Sequence, residues 1–158
     1  VSIIGGGNSA LEESLYLSDI CKSVTIINRR DVLRGDKMLV DKVLKKDNIN
    51  ILYNSEVVEF NKKDDFLESL TIKTNDKLNK LEVKACFIFI GYVPATDFLN
   101  NLDILDEKGY IKTDKNLKTD IPFIYACGDT INKEVYQIVT ATGEGAVSAI
   151  SFINDYNS

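Results

Sequence analysis

No histidine occurs among the 158 residues, which removes both the side chain most often used as a general base near neutral pH and the commonest nitrogen ligand for zinc. Any chemistry here must use other groups. Cysteine is scarce: Cys21, Cys86 and Cys127 lie far apart and form no C-x-x-C pair, which argues against a disulfide framework and a structural zinc site. They read as small buried apolar residues in a reducing compartment. Long apolar runs are missing too, since the longest is ACFIFIG at 85–91, far below the roughly 20 residues a bilayer-spanning helix needs. A cytoplasmic protein without membrane attachment is expected. There is no basic excess: 24 Asp and Glu stand against 19 Lys and Arg, so an extended phosphate backbone would be repelled and nucleic acid is not an expected partner.

What is present is 44% hydrophobic, enough for one good core or one and a half small ones. Position 1 is valine, and only the four residues VSII precede three glycines, so a first strand with its start cut away is expected. Residues 8 to about 20 carry Leu11, Leu15 and Leu17 near helical spacing, and VTII at 24–27 reads as a second buried strand. Strand, helix and strand within about 30 residues make a right-handed βαβ unit and begin a parallel sheet. A charged helix is expected at 36–46 and a strand at 49–53.

From residue 55 the runs SEVVEFNKK, LESLTIKTN and KLEVKA alternate polar with apolar, which predicts a three-stranded antiparallel meander with one wet face. Residues 87–90 return as a buried strand. GYVPAT at 91–96 is a breaker and the expected domain crossing. Beyond it a short helix is expected at 97–101, a strand at 110–112 and a buried strand at 123–126. The last helix, from about Gln137 to Tyr156, is apolar on more than one face and calls for cover.

Gly5, Gly7 and Ala10 fit G-x-G-x-x-[GA]. The first glycine permits a sharp turn, the second lets backbone approach a pyrophosphate, and Ala10 allows the helix to pack closely on the strand. The N–H groups of Asn8, Ser9 and Ala10 would face the phosphates at the positive end of the helix dipole. Where an NAD site usually has a carboxylate, this chain has NRRDVLR, with Arg29, Arg30 and Arg34. Guanidinium groups there suit a 2′-phosphate and favour NADPH over NADH. Glu13 reads as a structural complement to the helix dipole, and Glu12 is left open.

A second constellation is FIYACGD, ending in Gly128 and Asp129. A carboxylate at a strand's C-terminal edge can accept hydrogen bonds from sugar-like hydroxyls. Eight residues on, Gln137 opens the apolar helix, whose first N–H groups can stabilise negative charge on a reduced cofactor ring.

GGGNSALEE, NRRDVLR, IFIGYVPATDFL, GYIKTD, and FIYACGD with QIVTATGEGAVSA occur in an order and spacing that resembles the bacterial thioredoxin reductases of the small flavoprotein class. The resemblance covers nearly the whole chain. It implies an α/β fold with two dinucleotide-binding domains: a Rossmann-like NADPH domain with its antiparallel meander at 1–92, and the C-terminal part of an FAD domain at 97–158. Carried over by position, Gly5, Gly7, Asn8, Ser9, Ala10, Arg29, Arg30 and Arg34 would contact NADPH, with Gly91 near the nicotinamide or the domain crossing. Gly128 and Asp129 would hold the FAD ribityl chain, with Gln137 and Ile138 near the flavin's pyrimidine edge. The implied parent enzyme passes electrons from NADPH through FAD to a redox disulfide and then to thioredoxin, as a homodimer. The family's C-x-x-C and its other glycine loop lie upstream of the GGGNSA strand, so a fragment without catalytic cysteines is expected, inactive alone. Asn28, Tyr92 and Tyr136 depart from the family's pattern. Alternatives are a ferredoxin-NADP reductase of the thioredoxin-reductase type, which lacks the cysteine pair, and a non-catalytic NADPH-binding module.

Overall fold

The computed structural model describes residues 1–157. Two compact units are formed, Val1–Gly91 and the residues from Tyr92 onward.

In the first unit β1 (Ser2–Ile4), β2 (Val24–Ile27), β3 (Ile49–Leu52) and β7 (Cys86–Ile88) make a parallel sheet in the order β3-β2-β1-β7. Helix α1 (Asn8–Ile20) turns Ala10, Leu11, Ser14, Leu17 and Ser18 inward. That spacing is one face of a helix. Ala10 and Leu17 meet Ile3 and Val24, while Leu11 meets Ile26 and Val43 of α2 (Lys37–Val43). Full burial of side chains such as Leu11 and Ile26 is worth about 1.5–3 kcal/mol each, which fixes α1 on the sheet.

The meander is β4 (Ser55–Lys63), β5 (Phe66–Thr74) and β6 (Lys77–Glu82). Leu70 and Ile72 face inward and pack with Ile27 and Val83. Asn75 and Asp76 both have positive φ, the signature of a two-residue hairpin turn whose twist matches the strands.

β7 departs from the expectation of a buried strand at 87–90. It ends the sheet with β1 as its one neighbour, so Ile88 is exposed. The charged helix expected at 36–46 is regular only over Lys37–Val43. The cysteines are free and half-buried rather than buried, because each sits where an element starts or stops: after α1, at the first residue of β7, and before the turn at Gly128–Thr130.

The second unit is built around Ile104, Ile111, Leu117, Ala126 and Ile131. Its regular elements are 3-10 turns at Asp97–Leu99 and Gly128–Thr130 and helix α3 (Ile138–Tyr156). The strands expected at 110–112 and 123–126 are not formed; Ile111 bridges singly to Leu105 and Ile131, and Tyr125 to Lys118. Phe123 takes a φ of 63°, and the Ile124 N–H closes a tight turn onto the Ile121 carbonyl at 3.1 Å, so extended backbone starts too late to build a ladder. Along α3 only Ser151 is buried, and Ile138, Val139, Ile150 and Ile153 are exposed. Among the described residues no helix is long and apolar enough to cross a membrane.

Candidate dinucleotide-binding site

β1 runs into the glycine turn, where the Gly5 N–H donates to the Ile27 carbonyl at 3.0 Å and the Phe89 N–H to the Ile4 carbonyl at 2.8 Å. Gly5 has a φ of +139°, and a Cβ there would stand 2.2 Å from the Phe89 carbonyl oxygen. No other residue type fits between the strands. Gly7 differs: nothing lies within 4 Å of the Cβ it lacks, so open space faces the start of α1.

The first backbone bond of α1 runs from the Leu11 N–H to the Gly7 carbonyl at 3.1 Å, and no side chain caps the helix. The N–H groups of Asn8, Ser9 and Ala10 therefore have no helical partner and present the positive end of the dipole. The Asn8 side chain is committed elsewhere, donating to the Asp36 carboxylate at 3.0 Å and accepting from the Asp36 N–H at 2.7 Å.

At the end of β2, buried Asn28 folds the arginine turn. Its side-chain amide donates to the carbonyls of Arg30 at 3.0 Å and Val32 at 2.8 Å. The Arg34 N–H reaches the Gly6 carbonyl at 2.7 Å, and the Asn54 N–H reaches the Arg30 carbonyl at 3.1 Å. Arg29, Arg30 and Arg34 are the only arginines of the chain, and all three are exposed. None enters an ion pair among the described residues. Together with Gly5 and Gly6 they line one cavity of about 420 Å³. Three unpaired guanidinium groups against the one carboxylate on the lining, Glu56, leave the cavity cationic and make a site for a dense anion.

The second unit brings Asp129, Gln137 and Ile138 to one open hollow of about 510 Å³. The first backbone bond of α3 is from the Ala141 N–H to the Gln137 carbonyl at 3.0 Å, and a capping box joins Gln137 and Thr140, so the Ile138 and Val139 N–H groups are those left without helical partners. Gly128 takes a φ of +78° and donates its N–H to Glu144 at 2.8 Å. Lys133 bonds Glu144 at 2.9 Å and lies 3.5 Å from Asp129. Burial works to lower the Lys133 ammonium, and the Glu144 and Asp129 carboxylates overcome it, holding the group above the ordinary lysine value. Asp129 stays exposed and open to a hydroxyl donor.

Gly5, Arg29, Arg30 and Arg34 thus share one cavity. Gly7, Asn8, Ser9 and Ala10 follow the turn but do not line it, and Gly91 is exposed with a φ of +107° outside it. Sequence reasoning missed Lys133 and Glu144, and treated Asn28 only as a departure. Asn28 was findable as a short amide at a strand end before a turn. No local signal pairs Lys133 with a helix residue 11 positions on. Among the described residues no cluster could hold a metal ion.

The parallel sheet, glycine turn and cationic cavity define an α/β fold of the dinucleotide-binding type. Residues 1–145 match the model for pyridine nucleotide-disulphide oxidoreductases, and the chain belongs to that family. It is 42% identical over 156 residues to a thioredoxin reductase of Borreliella burgdorferi, across 98% of this chain and 48% of that relative. With a thioredoxin reductase of Mycoplasmopsis pulmonis the identity is 41% over 146 residues, across 92% and 47%. The fold is similar to the crystal structure of Lactococcus lactis thioredoxin reductase in its FR conformation, with a TM-score of 0.85 at 36% identity, covering 98% of this chain and 52% of that one. The chain spans about half the length of the curated relatives it matches.

Proposed function

We propose that the cavity of the first unit binds NADPH and that the chain serves a thioredoxin-disulfide reductase. The glycine turn admits the pyrophosphate, the N–H groups of Asn8, Ser9 and Ala10 donate to its oxygens, and the guanidinium groups fork onto the 2′-phosphate. The single observation that carries this is the gathering of the chain's only arginines, none of them in an ion pair among the described residues, at the cavity of the glycine turn. On this reading residues 1–92 are the NADPH domain, and residues from 97 belong to the FAD domain.

The hollow of the second unit fits one edge of a flavin, because Asp129 offers an exposed acceptor beside the Ile138 and Val139 N–H groups that open α3 without helical partners. FAD, when bound, supplies a two-electron acceptor for the nicotinamide hydride. Asp129 would accept from a ribityl hydroxyl, Gly128 would let the chain turn beneath it, and the Ile138 N–H would face the pyrimidine edge beside Gln137. Lys133 and Glu144 hold that turn in place. The proposal extends to thioredoxin as protein substrate, a homodimeric parent and a cytoplasmic setting that keeps Cys21, Cys86 and Cys127 reduced.

Fluorescence titration of the 158-residue chain with NADPH and NADH tests the reading. NADPH is expected to bind at least tenfold more tightly, since one charge-assisted bond is worth about 1.5–3 kcal/mol. Equal affinities would overturn it.

A further inference from the structure

The meander contributes a wall to the arginine cavity, and an irregularity in β4 decides which side chain that wall presents. β4 and β5 pair Val57 with Ile72, then Glu59 with Thr71 and Phe60 with Leu70, so Val58 is an extra residue without a partner. Without this bulge, Phe60 would lie on the face opposite Val57. With it, both share the inner face, that of Leu70 and Ile72. The outer face is marked by Asn61 and Glu59, each hydrogen-bonded to Thr71, at 3.0 and 3.4 Å. Phe60 lies beyond the packed cluster of Val57, Leu70 and Ile72, keeps 50% exposure and lines the cavity shared with Arg29, Arg30 and Arg34.

An aromatic ring half-exposed in a cationic cavity has an unused π-face. The strand bearing it starts at the arginine turn, because the Ser55 N–H donates to the Asn28 carbonyl at 3.0 Å. The base nearest those arginines is the one on the 2′-phosphorylated ribose, the adenine. We infer that Phe60, turned into the cavity by the Val58 bulge, is the stacking platform for the adenine of the bound dinucleotide. The inference rests on the NADPH reading of this cavity.

The probe is adenosine 2′,5′-bisphosphate, which carries the adenine and the 2′-phosphate without nicotinamide. Its dissociation constant is measured by calorimetry for the unchanged chain, Phe60→Leu, Phe60→Trp and the double variant Arg29→Ala with Arg30→Ala. Phe60→Leu keeps apolar bulk and removes the ring, so an increase of about tenfold is expected, with Phe60→Trp near the unchanged chain. NMR of the unchanged chain should show the adenine H2 and H8 resonances moved upfield by the ring, and Phe60→Leu should abolish the shift. Unchanged affinity in Phe60→Leu and no ring-current shift, with binding still lost in the arginine double variant, would overturn the stacking role and leave the NADPH reading standing. Affinity unmoved by the arginine changes would overturn both.

Discussion

The side-chain amide of Asn28 donates to the Arg30 carbonyl at 3.0 Å, and through a second bond to Val32 it closes the turn that carries Arg29 and Arg30 and leads to Arg34. Asn28→Ala removes the side-chain donor from the Val32 carbonyl and leaves the Arg30 carbonyl with the Asn54 N–H alone. A loss of about 1–3 kcal/mol is expected in urea denaturation, with weaker NADPH binding as the turn loosens. Unchanged stability and affinity would show that the backbone bonds of Arg34 and Asn54 hold the turn unaided.

Gly5 and Gly7 should respond oppositely to alanine. Gly5→Ala forces a Cβ to 2.2 Å from the Phe89 carbonyl at a positive φ, so a loss of about 3 kcal/mol or more is expected in denaturation. Gly7→Ala meets open space and should change stability by less than about 1 kcal/mol. Its effect should fall on NADPH affinity, read by the same fluorescence titration.

Lys133 and Glu144 are both largely buried, with side chains 11% and 19% exposed. Glu144→Ala removes the partner of that ammonium and of the Gly128 N–H together. About 2 kcal/mol of stability should be lost in chemical denaturation. Lys133→Met with Glu144→Leu should cost less than Glu144→Ala, since neither charge is then stranded.

The Tyr125 hydroxyl donates to Asp155 at 2.5 Å, and that bond, with burial and the carboxylate's charge, pushes the phenol up to about 12. With Asp155 ionised, stability from this bond is complete below the ordinary tyrosine value of about 10 and is lost as pH rises through about 12. In a titration followed at the tyrosinate absorbance, Tyr110, which its hydrogen bond with Tyr136 also pushes up, should ionise late among the 7 tyrosines, and so should Tyr125. Asp155→Asn should bring Tyr125 back toward the rest, and an unaltered late phase would assign it to other residues.

Local pattern carried the first unit a long way. The leucines at 11, 15 and 17, the VTII run and the alternation from residue 55 each reflect a face buried or wetted over several residues, and each corresponds to a regular element here. The arginine cluster was legible because it is contiguous. What stayed hidden depends on partners distant in sequence. Strands expected at 110–112 and 123–126 had apolar residues but only isolated bridges. The Lys133–Glu144 pair joins a loop to a helix, and the Val58 bulge exists only in register with β5.

The most direct test is cofactor titration of the double variant Arg29→Ala with Arg30→Ala against the unchanged chain. The NADPH dissociation constant should rise at least tenfold while that for NADH barely moves, because the lost bonds reach only the 2′-phosphate. Equal losses for both cofactors, or none for either, would contradict the assignment of this cavity to NADPH.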